Sequence, residues 1–76
     1  MNETLADVRP GQRFRIGTVG DSTLRARLLR LGFMDGPVTC RNRLRRGPVI
    51  VSREGTDLAL GASVADDIEV AEITET

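Results

Sequence analysis

The sequence predicts a mainly β fold: a small five-stranded SH3-like barrel with one short α-helix inserted between the first and second strands. Three observations carry this reading. Apolar and charged residues alternate in short runs that glycine and proline turns separate. One stretch, Ser22 to Leu31, has helical spacing instead. The chain has only 76 residues, and sheets this small avoid exposed edges by curling up. It is one domain, 1–76, burying roughly 60% of the surface its unfolded form exposes. With the single cysteine Cys40 and no metal cluster in the sequence, the core must come from close packing of Leu, Val and Ile.

Thr4 to Val8 reads as one helical turn or tight loop, with Leu5 and Val8 at i, i+3 and Pro10-Gly11 ending it. Arg13 to Val19 sets Phe14 and Ile16 against Arg13 and Arg15, a half-buried strand that Gly17 and Gly20 bend or bulge. Asp21 or Ser22 can cap the helix that follows. Its leucines Leu24, Leu28 and Leu31 form one apolar stripe, Gly32 closes it, and Phe33 packs back over the last turn. Gly36-Pro37 redirects the chain into a strand from Val38 to Arg45, with Val38, Cys40 and Leu44 on one face. Asn42 falls on that face too, so it needs a hydrogen-bond partner or an opening to water. Arg46-Gly47-Pro48 turns into the strand Val49 to Arg53, and Leu58 and Leu60 mark its mate after Glu54-Gly55-Thr56. Gly61 to Asp66 reads as a turn with Val64 and Ala65 tucked in, and Ile68, Val70 and Ile73 as the last strand. Gly11, Gly32, Gly36, Gly47 and Gly55 are the structural turn glycines.

Eleven basic residues, all arginine, balance eleven acids, but the signs are segregated. Ten arginines between Arg9 and Arg46 face only Asp21 and Asp35, whereas seven acids and no base follow from Glu54. Such asymmetry can orient a partner, or it can simply solubilise the outer faces of strands. The chemistry of catalysis is poorly represented. Histidine, lysine and tyrosine are absent, Cys40 sits on an apolar strand face without an activating base, and the three serines have none either. Asp66-Asp67, if neighbours on a strand, would point to opposite faces, and soft ligands are limited to Cys40, Met1 and Met34. No enzyme, cofactor or metal centre is expected. Neither a secretion signal nor a membrane span is legible, which places the chain in the cytoplasm.

Binding readings remain. Arg41, Arg43, Arg45 and Arg46 form a ridge that could meet the phosphates of a nucleic acid, although zero net charge and two aromatics argue against it. Phe33, Met34 and Ile50 are apolar groups that a thin core need not absorb entirely, and an exposed remainder would suit a protein partner. A structural oligomer subunit, with weak self-association, is the third reading.

The succession Leu5-Ala-Asp-Val-Arg-Pro-Gly11, Leu24-x-x-x-Leu28-Leu29-x-Leu31-Gly32-Phe33-x-x-Gly36, Gly47-Pro48-Val49, Gly55-x-x-Leu58-Ala-Leu60 and Ala65-x-x-Ile68-Glu-Val70 resembles the FeoA family. These are small cytosolic components of the bacterial ferrous iron transport system. The resemblance implies an SH3-like barrel and a non-catalytic docking role at FeoB, the membrane iron transporter with a GTP-binding domain, which would recruit the chain to the inner face of the membrane. On that basis Leu28, Leu31, Gly32, Phe33 and Met34 are the expected docking surface, with Arg41, Arg43 and Arg45 steering approach. Arg53 departs from the pattern, which usually has an aliphatic residue there; Gly61 stands where a polar residue is common, and the turn at Arg45-Arg46-Gly47 is short. The same domain type also occurs behind metal-responsive repressors, but no DNA-binding helices precede it in this sequence, which favours a free-standing subunit.

Overall fold

A two-residue strand, β1 (Glu3–Thr4), opens the computed structural model, which describes residues 3–73. A 3-10 turn over Leu5–Asp7 buries Leu5 and leads to β2 (Arg13–Val19) and the helix α1 (Ser22–Leu31). Two hairpins follow, built from β3 (Val38–Arg43), β4 (Val49–Arg53) and β5 (Thr56–Leu60). A short helix, α2 (Ala62–Asp66), and β6 (Ile68–Glu72) complete the fold. Every pairing is antiparallel, and the strands lie in the order β1-β6-β2-β3-β4-β5. The sheet therefore has six strands where five were expected, and α1 lies between the second and third. β1 was missed because two residues leave no alternation to read. The observed pairings also leave two ends, β1 and β5; closure into a barrel is not among them.

Two register shifts decide which side chains face inward. The first, between Ile16 and Val19, moves the buried set of β2 from Phe14 and Ile16 on to Val19 and fits the irregularity expected at Gly17. The second falls between Cys40 and Asn42, leaving Arg41 as the extra residue of β3. One inserted residue flips every later side chain to the other face. Val38 and Cys40 are buried, but Leu44, expected on the same face, is 50% exposed and lies beyond the strand, which ends at Arg43. Asn42 is exposed as well, and its side-chain oxygen accepts from the Arg43 N–H at 2.8 Å.

One cluster fills the interior, with Leu5, Phe14, Leu28, Phe33, Val38, Cys40, Val51 and Ile68 at 0% exposure. Gly61 to Asp66, expected as a turn, is mostly the helix α2; Ala65 is buried as expected, but Val64 is 36% exposed. Asp66 ends this helix and Asp67 caps it, so neither is a strand residue. β6 stops at Glu72, and the Ile73 N–H donates to the Arg13 carbonyl at 3.3 Å.

Candidate functional site

Specific hydrogen bonds set both ends of α1. The Asp21 carboxylate starts the helix by accepting from the N–H groups of Thr23 at 2.8 Å and Leu24 at 3.2 Å, which satisfies two of the donors every helix start leaves open. At the other end Gly32 adopts a left-handed conformation at φ 83°, and the Phe33 N–H returns to the Leu28 carbonyl at 3.0 Å. That arrangement closes the helix and drives the Phe33 ring into the core.

Of the surface expected here, Leu28 and Phe33 are fully buried and shape the turn from beneath. Leu31, on the apolar stripe with Leu24 and Leu28, is 41% exposed, because the helix stops there and Phe33 fills the core at this end. Gly32 and Met34 are half-buried. Leu29, 44% exposed, adds a second outward leucine. The sequence did carry a signal for it: a leucine lying off the apolar stripe of an amphipathic helix has no core to enter.

Arg53 holds this turn from the sheet. Its Nε donates to the Gly32 carbonyl at 2.9 Å and one terminal nitrogen to the Pro37 carbonyl at 3.0 Å. The other terminal nitrogen stands 3.7 Å from the Glu54 carboxylate. The Arg53 side chain is only 18% exposed, and the guanidinium fits over Gly36 so closely that a Cβ there would come within 2.9 Å of both terminal nitrogens. Gly36 is thus required by a close approach. The departure at Arg53 acquires a local reason: a charged fork at the end of β4 ties down the chain between helix and sheet.

The arginine ridge lies elsewhere. Arg41, Arg43, Arg45 and Arg46 are all exposed, and Arg43 also donates to the Val8 carbonyl at 3.2 Å. Arg43 pairs with Val49 at the start of β4, whereas Arg53 ends that strand at the helix turn. Four residues of strand, roughly 13 Å, separate the two ends. The structure therefore does not bring the helix turn and the Arg43–Arg46 segment into one patch.

Burial pushes the Cys40 thiol above its ordinary pKa, against the nearby Arg43 charge and a backbone hydrogen bond at Asn42. In the protonated form its S–H reaches the Asn42 carbonyl at 3.6 Å. A protonated, fully buried thiol is a poor nucleophile. Among the described residues, no group of three or more His, Cys, Asp or Glu side chains could hold a metal ion, and no helix is long and apolar enough to cross a membrane.

Comparison with known proteins places this arrangement. The sequence profile described as the FeoA domain matches residues 3–72. No curated protein sequence matches the chain. Among solved structures, an iron uptake regulatory protein, FeoA, is similar with a TM-score of 0.77 at 23% identity over 96% of this chain and 99% of that one. The FeoA protein from Chlorobium tepidum gives 0.82 at 24% identity, covering 95% of this chain and 71% of that one. A manganese-dependent transcriptional repressor gives 0.75 at 18% identity, where 95% of this chain corresponds to 42% of the repressor. Likeness at these identities speaks for the fold.

Proposed function

Because this chain belongs to the FeoA family, a family of small non-catalytic domains associated with ferrous iron uptake, we propose that it is an accessory protein docking on the cytosolic part of a FeoB-type iron transporter. In this reading the bent sheet is an SH3-like barrel used as a rigid frame. The docking surface is the end of α1 and its turn: Leu29, Leu31, Gly32 and Met34, with Leu28 and Phe33 holding them from below. The observation that carries the reading is the pair of outward leucines, 44% and 41% exposed, beside a turn fixed by the Gly32 closure and the Arg53 fork. A pre-ordered apolar surface loses little entropy on binding, so even a small one can hold a partner. Iron is the transporter's cargo here, and no residue of this chain is asked to ligate it.

Titration of the chain against the GTP-binding domain, and against the full transporter from the same organism, tests this. We expect binding to at least one of them, with Leu29→Ser/Leu31→Ser and Met34→Glu variants losing it tenfold or more while keeping their unfolding midpoints. Folded variants that bind as tightly as the parent would remove the helix turn from the interface.

A further inference from the structure

The β3–β4 hairpin tip offers a second surface with different chemistry. Between Gly36 and Arg53 the sequence contains five arginines and no acid. Four of the five are exposed and cluster from Arg41 to Arg46, and in their midst stands Leu44, at 50% the most exposed large apolar residue among the described residues. The tip is ordered: the Leu44 carbonyl accepts from the Gly47 N–H at 2.9 Å, and the Leu44 N–H donates to the Pro48 carbonyl at 3.1 Å. Arg46 occupies φ 58°, a left-handed position where glycine or asparagine is ordinary, so a charge is kept at a site whose backbone favours a smaller residue.

Beneath the tip is a shallow depression. Its apolar lining includes Ala6, Leu44, Val49 and Ala65, and Arg43 and Arg46 also line it; Asp66 is the one acid there. Apolar atoms beside guanidiniums match an amphiphile that carries a phosphate next to aliphatic carbon. A single-stranded nucleic acid would need exposed rings on which bases could stack, and both aromatics, Phe14 and Phe33, are at 0% exposure. We infer that the hairpin tip is a contact site for an anionic phospholipid bilayer, with Arg45 and Arg46 on the headgroup phosphates and Leu44 entering the headgroup boundary. Such a contact would keep the protein at the membrane surface independently of any protein partner, because it lies at the opposite end of the hairpin from the helix turn.

The test is sedimentation of the full chain with vesicles of mixed phosphatidylglycerol and phosphatidylcholine, beside vesicles of phosphatidylcholine alone. Binding to the anionic vesicles at low salt is expected, fading at about 1 M salt where the screening length falls to about 3 Å. Each basic residue near an anionic surface is worth about fivefold in partition, so Arg45→Gln/Arg46→Gln should weaken binding by roughly 30-fold. Leu44→Ser should weaken it several-fold at every salt concentration. All three side chains are exposed, so the variants should keep the parent's unfolding midpoint. They should also keep its affinity for a soluble transporter domain, which separates this inference from the docking proposal. Equal binding to both kinds of vesicle, none to either, or unchanged binding by folded variants would overturn it. So would tighter, arginine-dependent capture of single-stranded RNA at salt where the vesicles no longer bind.

Discussion

Replacing Arg53 by methionine keeps an unbranched stem but removes the fork that joins β4 to the chain after α1. Two hydrogen bonds are lost, to the Gly32 carbonyl at 2.9 Å and the Pro37 carbonyl at 3.0 Å. Bonds from a charged donor contribute about 1.5–3 kcal/mol each. Part of that is offset, because a guanidinium only 18% exposed has given up most of its hydration. The net loss expected is about 2 kcal/mol, which for a domain this small lowers Tm by roughly 8–16 °C. Gly36 sharpens the test. A Cβ added there would stand 2.9 Å from both terminal nitrogens and 3.1 Å from Cζ of Arg53. A long side chain could ordinarily swing aside, but this one is held at two points, so Gly36→Ala should cost about 1–3 kcal/mol in the parent.

In the Arg53→Met background the obstacle is gone. Gly36 has no positive φ, so alanine there should be neutral or stabilise by about 0.4–1 kcal/mol through the unfolded chain. Urea unfolding of the parent, both single variants and the double variant measures the coupling, expected at about 1–4 kcal/mol as the difference between the two costs of Gly36→Ala. Additive costs, or an Arg53→Met variant within about 0.5 kcal/mol of the parent, would refute the clamp. Amide exchange gives an independent readout: the Phe33 N–H, bonded to the Leu28 carbonyl, should lose protection when Arg53 is removed.

Three further outcomes are expected. Gly32→Val forces a β-branched residue to φ 83° and should destabilise by at least about 1–2 kcal/mol, read as a lower urea midpoint, with Gly32→Asn milder. Asp21→Ala removes the acceptor for two helix-start N–H groups and should cost about 1 kcal/mol, visible in the same unfolding curves. Cys40 should resist thiol reagents in the folded chain and react on unfolding; because burial raises its pKa, its contribution to stability is intact below the unfolded thiol value of about 8.5 and is lost as pH rises through the folded value.

Where a period was long enough to count, the sequence spoke clearly. Phe14 and Ile16, Val49 and Val51, and Ile68 and Val70 all lie inside as their alternation requires, and Asp21 and Gly32 bracket the helix. Two kinds of feature escaped. One is the inserted residue at Arg41: a bulge leaves the composition of a strand unchanged while reversing its faces, so Leu44 reads as core until the pairing with β4 is known. The other is long-range polar contact. Arg53 is a solvated strand end in sequence and a half-buried fork in space, because its acceptors lie 16 and 21 residues away. The distance between the helix turn and the arginine ridge was illegible for the same reason, since separation along a hairpin has no signature in residue order.

That separation gives the two surfaces different physics. The helix turn offers leucines at a position fixed by the glycine closure and the Arg53 fork, so its binding should depend on shape and respond weakly to salt. The hairpin tip offers charge with one exposed leucine and should respond strongly to salt. The fork belongs to the first of them: Arg53 ends β4 at the turn, and Val49 begins the same strand at the tip. Releasing Arg53 loosens only the first end, because the tip has its own closure from Leu44 to Gly47 and Pro48. Arg53→Met should therefore weaken transporter docking while anionic vesicle binding stays at the parent's level. If both fell together, the hairpin would be acting as one cooperative unit, and the division of roles between its ends would have to be abandoned.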